Sequence, residues 1–343
     1  MKLSPVVRRL TRLRWDFFVV HTGQHYTRSM DSIFLEELRI PRPKYDLGVG
    51  SGTHAEQTGR MLIGVEKVIR EEKPDVVLVE GDTNTVLAGA LSAAKLHVKI
   101  GHIEAGLRSF DHRMPEELNR VVVDHVSDFL FAPTLGARRN LLREAVADEK
   151  VFVTGNTIVD ALEQNLRQSR KREVRAVTFS PHLLCTIHRE ENVDDAARLK
   201  SIFKGLGLVY EKSGVKIVYP MHPRTKKRCR EYGIEPPRGT EVIEPLDYFS
   251  FLKLESDAQL VLTDSGGVQE EACILRVPCV TVRENTERPE TVEVGANVIA
   301  GVDPEKIVDS SLRMLDRERN WPNPLGDGHA AEKIVAVLQD HLQ

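Results

Sequence analysis

Short apolar runs rich in Val and Ile alternate along this chain with segments of helical periodicity. Residues 76–79 form one such run, Val-Val-Leu-Val, between Pro74 and Gly81, which is typical of a buried parallel strand. In residues 56–71 the apolar positions instead recur at the spacing of one helix face. The repeated alternation of strand and helix predicts parallel sheets covered by helices on both faces.

The same pattern predicts two series of elements. In the first series we expect strands at 76–79, 98–103, 129–132 and 151–154, and helices at 56–71, 85–94, 115–126 and 135–145. In the second series we expect strands at 183–187, 216–219, 241–243, 259–263, 279–282 and 297–299, with helices between most of them. The polar segment 164–173 is the predicted connection between the two series.

The chain length of 343 residues favours two domains. The predicted fold class is therefore α/β, with two Rossmann-like doubly wound domains that face each other across a cleft. Ligands of such sheets bind beyond the carboxyl ends of the strands, so residues that carry chemistry are expected there.

Composition excludes several classes of function. With a net charge of -3, the chain has no global basic field that would attract nucleic acid. Its four cysteines form no C-x-x-C pair and no zinc spacing, so we expect reduced thiols, a cytoplasmic protein and no metal. No apolar run approaches the ~18 residues of a membrane span, so no membrane partner is expected.

The N-terminal segment 1–14 carries five basic residues and no acidic one. Such a segment is typical either of a transit peptide or of a surface helix with Pro5 in its first turn. We favour the helix, because the segment runs into a strand-like stretch at 17–20.

Three acidic residues follow predicted strands or open predicted helices in the first series. Asp82 comes directly after a strand, where it suits either a functional site or a helix N-cap. Glu104 lies at the next strand end beside a glycine turn, and Glu116 follows Pro115 in a first helical turn, where the helix dipole alone explains an acid. If the fold brings these carboxyl groups together, they are suited to general acid–base catalysis.

The second series contains residues suited to a diphosphate. His188 and Arg189 end its first strand, where they fit either phosphate contacts or a capping cluster. Ser265, Gly266 and Gly267 open a helix directly after a strand, and exposed N–H groups at such a position bind phosphate.

Two further side chains complete this candidate site. Glu271 lies one turn into the same helix, where it suits ribose hydroxyls, and Arg288 would add positive charge. The segment is neither a G-x-G-x-x-G fingerprint nor a P-loop, so no dinucleotide cofactor is expected.

Taken together, these segments resemble the non-hydrolysing UDP-N-acetylglucosamine 2-epimerase family. The resemblance rests on motifs in order along nearly the whole chain: HTGQH (21–25), GDT (81–83), HIEAGLR (102–108), PEELNR (115–120), HREEN (188–192), MHP (221–223), DSGGVQEEA (264–272) and ERPE (287–290). It implies a GT-B-like fold with an N-terminal domain at 1–160, a UDP-binding domain at 161–328, and a helix at 329–342 that packs back on the first domain.

The resemblance also implies an activity and the residues that carry it. Family members interconvert UDP-GlcNAc and UDP-ManNAc without cofactor, through elimination of UDP and re-addition to a 2-acetamidoglucal, and so supply UDP-ManNAc for cell-surface polysaccharide. Catalytic positions of the family match Asp82, Glu104, Glu116 and His188; UDP- or sugar-contacting positions match Lys2, His188, Leu246, Phe251, Ser265, Gly266, Gly267, Glu271 and Arg288. Positions that bind a second, regulatory UDP-GlcNAc in some members match Gln24, Arg60, Arg189 and His222, and the protein is expected to be a homodimer.

The chain departs from the family pattern at its beginning. Members start with a strand and a G-T-R-P-E turn, whereas the present sequence begins inside the following I-K-x-x-P stretch, at Lys2 to Pro5. We therefore expect the first central strand to be missing, which leaves open a misassigned start, a truncation or an impaired protein. Two alternative functions remain at this point: a UDP-sugar glycosyltransferase of GT-B fold, and a truncated, non-catalytic UDP-sugar-binding protein.

Overall fold

The structure, a computed structural model, describes residues 1–23, 35–174, 177 and 179–342. The chain divides into two compact units. Unit 1 comprises residues 1–161 and 325–343, and unit 2 comprises residues 162–324.

The helices and strands are numbered in chain order. The helices are α1 Ser4–Arg12, α2 His54–Glu72, α3 Asn84–Lys95, α4 Pro115–Val126, α5 Leu135–Arg143, α6 Thr157–Ser169, α7 Glu190–Val193, α8 Ala196–Ser213, α9 Pro223–Tyr232, α10 Tyr248–Asp257, α11 Gly266–Leu275, α12 Pro289–Glu293, α13 Pro304–Leu315 and α14 Ala330–His341. The strands are β1 Val20–His21, β2 Tyr45–Asp46, β3 Val76–Glu80, β4 Lys99–Ile103, β5 Phe129–Ala132, β6 Val151–Val153, β7 Leu183–Thr186, β8 Ile217–Pro220, β9 Thr240–Ile243, β10 Leu260–Thr263, β11 Cys279–Thr281 and β12 Asn297–Ile299.

Unit 1 contains a parallel four-stranded sheet in the order β3-β4-β5-β6 and a separate parallel pair, β1-β2. All four residues of β5 are fully buried, whereas Val79 is the one fully buried residue of β3 and its other residues are partly buried, because β3 lies at an edge of its sheet. Glu80, the last residue of β3, is in register with Ile103 of β4. The two strand ends that carry the predicted acids are therefore neighbours.

The N-terminal segment forms helix α1, as predicted, and Pro5 lies in its first turn. Val6 and Leu10 of this helix pack with Ile334 and Leu338 of α14 in one buried cluster. The cluster also contains Ile103 of β4, so the two terminal helices cover one face of the unit 1 sheet.

Unit 2 contains a six-stranded parallel sheet in the order β12-β11-β10-β7-β8-β9. The chain enters this sheet at β7 and continues through β8 and β9 on one side of β7. It then returns to place β10 on the other side of β7, so the order of strands reverses between β7 and β10. Both strands are buried along their whole length. A reversal of this kind opens a crevice at the carboxyl ends of the strands, where ligands of doubly wound sheets bind.

Two predictions about elements need correction. The segment 164–173 was predicted to connect the two series, but it is helical up to Ser169, and the boundary between the two units falls earlier in α6, between residues 161 and 162. The strand expected at 17–20 is a strand only at Val20–His21. The apolar residues of α6 are concentrated at its start, so its polar second half hid the helix from sequence analysis.

Candidate functional site

Glu104 occupies the turn that follows β4. Its side chain is 7% exposed, and its backbone adopts φ +73°, a conformation uncommon for any residue but glycine. Its Oε1 atom accepts a hydrogen bond of 3.1 Å from Asn156 Nδ2 and contacts the ammonium group of Lys2. The structure therefore brings Lys2, predicted to bind substrate, to the predicted catalytic carboxylate.

Asp82 lies in the neighbouring turn, after β3. A Cβ placed on Gly81 would be only 3.9 Å from Glu104 Oε2, so the Asp82 and Glu104 turns adjoin. The Asp82 carboxylate accepts a hydrogen bond of 3.0 Å from Arg120 Nε, and its backbone carbonyl accepts one of 2.8 Å from Asn119. Two of the three predicted acids thus lie at one edge of the sheet.

Glu116 is half-exposed in the first turn of α4. It precedes Arg120 by four residues, so both side chains lie on the helix face that meets Asp82. The adjacent Glu117 differs, because it is 1% exposed and accepts backbone hydrogen bonds of 2.9 Å from Ser109 and Phe110. Glu117 therefore orders the loop between β4 and α4.

Glu80 is a titratable group that the sequence analysis did not assign to the site. Burial and the negative charge of Glu104 raise the pKa of Glu80 to about 7, although Lys2 acts in the opposite direction. The available signal was its place at the end of β3, in register with the strand that leads to Glu104. An acid with a pKa near neutrality is suited to proton transfer.

In unit 2, His188 follows β7 at the point where the strand order reverses. Its backbone N–H is held by both carboxylate oxygens of Asp264, at 3.1 and 3.0 Å. Its side chain is 42% exposed, and Nε2 lies 3.8 Å from Asp264 Oδ1. The imidazole is thus fixed at its base and accessible at its tip, as expected of a ligand-contacting group. Asp264, which is fully buried, is a positioning residue that the sequence analysis missed.

Ser265 is the N-cap of α11, and its Oγ lies 3.5 Å from the backbone nitrogen of Val268. A Cβ on Gly266 would lie 3.8 Å from Arg288 Nη2, so the guanidinium group adjoins the helix N-terminus. A Cβ on Gly267 would meet only Ser265 Oγ, at 3.9 Å. Backbone N–H groups, a hydroxyl and an arginine in this arrangement are suited to an anion, so the helix N-terminus is a candidate anion site.

Buried ion pairs hold the loop that carries Arg288. The Arg283 side chain is fully buried and donates hydrogen bonds of 2.9 and 3.0 Å to Glu287. Burial alone would raise the pKa of Glu287, but the hydrogen bonds and charge of Arg283 hold it far below its usual range. Arg288 itself pairs with Glu270 of α11, which anchors the loop to the helix.

The predicted ribose and uracil contacts also lie in unit 2. Glu271 is 4% exposed in α11 and interacts with the fully buried Glu255 of α10. Burial and the charge of Glu271 raise the pKa of Glu255 well above its usual value. Leu246 and Phe251 are partly buried against an apolar cluster that includes Leu184 and Val261.

Three of the four predicted regulatory residues lie in the part of the chain that the structure describes. Gln24 lies outside the described residues, and Arg60 is in unit 1, where it donates to the carbonyl of Val49 at 3.4 Å. Arg189 and His222 are in unit 2: Arg189 Nη2 lies 3.6 Å from Glu287 Oε1, and the His222 ring is 5.9 Å from that of His188.

Among the described residues, no group of three or more His, Cys, Asp or Glu side chains is arranged to hold a metal ion. Within the same ranges, no helix has both the length and the apolar character needed to cross a bilayer.

The central strands of unit 2 end at the candidate anion site, and strands of unit 1 end at acidic residues. Two Rossmann-like units with these features are typical of the GT-B-like class of nucleotide-sugar enzymes. The family model described as UDP-N-acetylglucosamine 2-epimerase matches residues 8–339. The chain belongs to this family.

Several known proteins are similar to the chain over nearly its full length. The UDP-N-acetylglucosamine 2-epimerase of Methanocaldococcus jannaschii is 55% identical over 348 residues, covering 98% of this chain and 95% of the relative. A crystal structure of the M. jannaschii enzyme in complex with UDP-GlcNAc and UDP has a TM-score of 0.95 at 54% identity, covering 99% and 96% of the two chains. A UDP-2,3-diacetamido-2,3-dideoxy-D-glucuronate 2-epimerase of Pseudomonas aeruginosa is 44% identical, covering 93% and 90%.

Proposed function

We propose that this protein catalyses the reversible C2 epimerisation of UDP-GlcNAc to UDP-ManNAc. Loss of the C2 proton and of UDP leaves a 2-acetamidoglucal. UDP and a proton then add back, and the proton returns to C2 with the opposite configuration. The observation that carries the proposal is identity of 55% to an epimerase across 98% of the chain, which includes both halves of the site. The match favours epimerisation over the glycosyltransferase and the non-catalytic binding protein, the two alternatives that the sequence left open.

In this proposal, unit 2 binds the nucleotide. The N–H groups of Gly266 and Gly267 and the hydroxyl of Ser265 contact the diphosphate, and Arg288 neutralises part of its charge. Glu271 accepts from the ribose hydroxyls, and Leu246 and Phe251 lie beside the uracil. His188 contacts the diphosphate and stabilises the negative charge that develops as UDP leaves.

Unit 1 supplies the proton chemistry. The C2 proton is weakly acidic, so its removal needs a positioned base, and Asp82, Glu104 and Glu116 are the proposed proton-transfer groups. The contact between Lys2 and Glu104 supports a charged Glu104 before the sugar arrives. Glu80, with its pKa of about 7, can exchange a proton with this group near neutral pH.

Chromatographic analysis of nucleotide sugars tests the function. The purified protein is incubated with UDP-GlcNAc, and in parallel with UDP-2,3-diacetamido-2,3-dideoxy-glucuronate, because a relative acts on that sugar. We expect conversion of UDP-GlcNAc to UDP-ManNAc that persists with a chelator and without added NAD. Conversion of only the glucuronate derivative would show that this sugar, and not UDP-GlcNAc, is the substrate. Conversion of neither sugar would contradict epimerase activity.

We propose further that the protein is a cytoplasmic homodimer. Leu118 and Val122 are 51% and 39% exposed and lie one turn apart on α4, and Phe110 before this helix is 69% exposed. Apolar residues grouped in this way favour an interface between copies of the chain. Four buried free cysteines suit a reducing compartment. Light scattering should give twice the chain mass, and Leu118→Glu should reduce it to one chain mass.

A further inference from the structure

Asp124, in the last turn of α4, is buried against the end of β4 and the turn that carries Glu104. It is 1% exposed, and its Oδ1 lies 2.6 Å from Nδ1 of His102, which is itself 0% exposed. Its Oδ2 accepts hydrogen bonds of 3.0 Å from the backbone N–H of Gly106 and 2.7 Å from Arg108 Nη2. The Asp124 carboxylate thus bonds to the residues two before and two after Glu104.

His102 extends this arrangement to the second acid. Its Nε2 lies 2.9 Å from the carbonyl oxygen of Gly81, and this carbonyl belongs to the peptide bond that leads into Asp82. The backbone N–H of Gly81 is held by the carbonyl of Ile103 at 3.1 Å. A single buried carboxylate therefore connects to the Glu104 turn directly and to the Asp82 turn through one imidazole.

The hydrogen-bond chemistry determines the charge of His102. The Gly81 carbonyl can only accept, so Nε2 of His102 must carry a proton. Asp124 is ionised because Arg108 binds it, so Nδ1 must also carry a proton to bond with it. His102 is consequently an imidazolium, although it is buried at the end of β4.

The charged groups around the pair are consistent with this assignment. Burial alone would lower the pKa of His102, but the charge and hydrogen bond of Asp124 raise it above its usual value. Arg108, from the turn after β4, is shared between Asp124 and Glu144 at the end of α5, and Glu104 adds a further negative charge near His102.

We propose that Asp124 is a positioning residue of the enzyme, which keeps His102 as an imidazolium and holds the Asp82 and Glu104 turns in their reactive geometry. Its role in turnover rests on the proposed epimerase function, whereas the charge of His102 does not. Positioning matters because a displacement of about 1 Å can cost roughly 10²-fold in rate.

Two substitutions at Asp124 separate geometry from charge. In Asp124→Asn, the amide can donate to a neutral His102 and still accept from Gly106, so the geometry is retained and the charge is lost. Asp124→Ala removes both. We expect kcat to fall about tenfold in the first variant and about 10²-fold in the second, with the Kd for UDP within about threefold of wild type. Asp128→Asn is the matched control, because Asp128 accepts from the opposite end of β4, at Ile100 N, and kcat should stay within about twofold.

Nitrogen-15 NMR of His102 gives a readout that does not depend on activity. Both ring nitrogens should be protonated at pH 8 in wild type, and Asp124→Asn should convert the ring to a neutral tautomer. A neutral His102 in wild type, or folded Asp124 variants with the kcat of Asp128→Asn, would overturn the inference. An inactive wild type would contradict the proposed function, and the NMR spectra would then still decide the charge of His102 and its dependence on Asp124.

Discussion

Asp264 holds the backbone N–H of His188 with both oxygens of its carboxylate, at 3.1 and 3.0 Å. The same carboxylate accepts hydrogen bonds from Arg189 N at 3.0 Å and Asn192 Nδ2 at 3.2 Å. Because Asp264 directly follows β10 and His188 follows β7, these bonds join the ends of the two central strands of unit 2. The carboxylate thus orders the loop that presents His188.

This relationship predicts a stability cost for removing Asp264. Asp264→Ala leaves several buried donors without an acceptor, so we expect the free energy of unfolding in urea to fall by about 2–4 kcal/mol. His188→Ala is the comparison, because its side chain is 42% exposed and its loss should cost no more than about 0.5 kcal/mol while still reducing turnover. Equal stability of the two variants would show that Asp264 does not order the loop.

Binding and chemistry should be separable by substitution. Gly266→Leu places a large side chain beside Arg288 at the helix N-terminus and should weaken UDP binding at least tenfold in calorimetric titrations. Gly266→Ala is the control, because its Cβ would make only ordinary contacts of 3.6 and 3.8 Å.

Glu104→Gln keeps the shape of the side chain and should leave UDP affinity within a few fold while turnover falls by roughly 10²–10⁴. Loss of UDP binding in Glu104→Gln would assign Glu104 to ligand contact instead.

Glu80 should make the stability of the protein depend on pH. Its pKa is raised from 4.5 to about 7 by burial and by Glu104, so the folded state keeps this proton longer than the unfolded state does. The contribution is favourable below pH 4.5 and is lost as pH rises towards about 7. Relative to Glu80→Gln, wild type should therefore lose stability in urea titrations between pH 5 and about 8. Glu66→Gln, on the exposed face of α2, is the control, and parallel curves for wild type and Glu80→Gln would contradict the prediction.

The regulatory residues predict substrate activation. We expect conversion of UDP-ManNAc alone to show a lag that added UDP-GlcNAc removes. His222→Asn retains the N-cap of α9, where Nδ1 of His222 accepts from Arg224 N at 3.2 Å, and removes the ring beside His188. This variant should need more UDP-GlcNAc for activation. Hyperbolic conversion of UDP-ManNAc without a lag, unaffected by UDP-GlcNAc, would contradict the regulatory assignment.

Local signals in the sequence account for most of the elements. Helix α4 has its predicted bounds because Pro115 and two acids begin it, and β5 has its predicted bounds because it is a short apolar run between Asp128 and Pro133. Helix α6 was missed, since only its first half is apolar.

The site was only partly predictable for a different reason. Asp82, Glu104, His188 and the Ser265 helix start follow strands directly, and this position marks the ligand-binding edge of a parallel sheet. Asp124 and Asp264 reach those edges through hydrogen bonds that span 22 and 76 residues of sequence. No local spacing reports such contacts, and a buried charge in a helix resembles an ordinary polar position until the fold brings its partner to it.

Elimination and re-addition of UDP must exchange the proton at C2 with solvent, and this exchange can be measured. The protein is incubated with UDP-GlcNAc in heavy water, and the sugar protons are followed by NMR. Elimination and re-addition predict that UDP-ManNAc forms with deuterium at C2, and that UDP-GlcNAc recovered at equilibrium carries it too. Formation of UDP-ManNAc with the original proton retained at C2, or the absence of any conversion, would contradict the account.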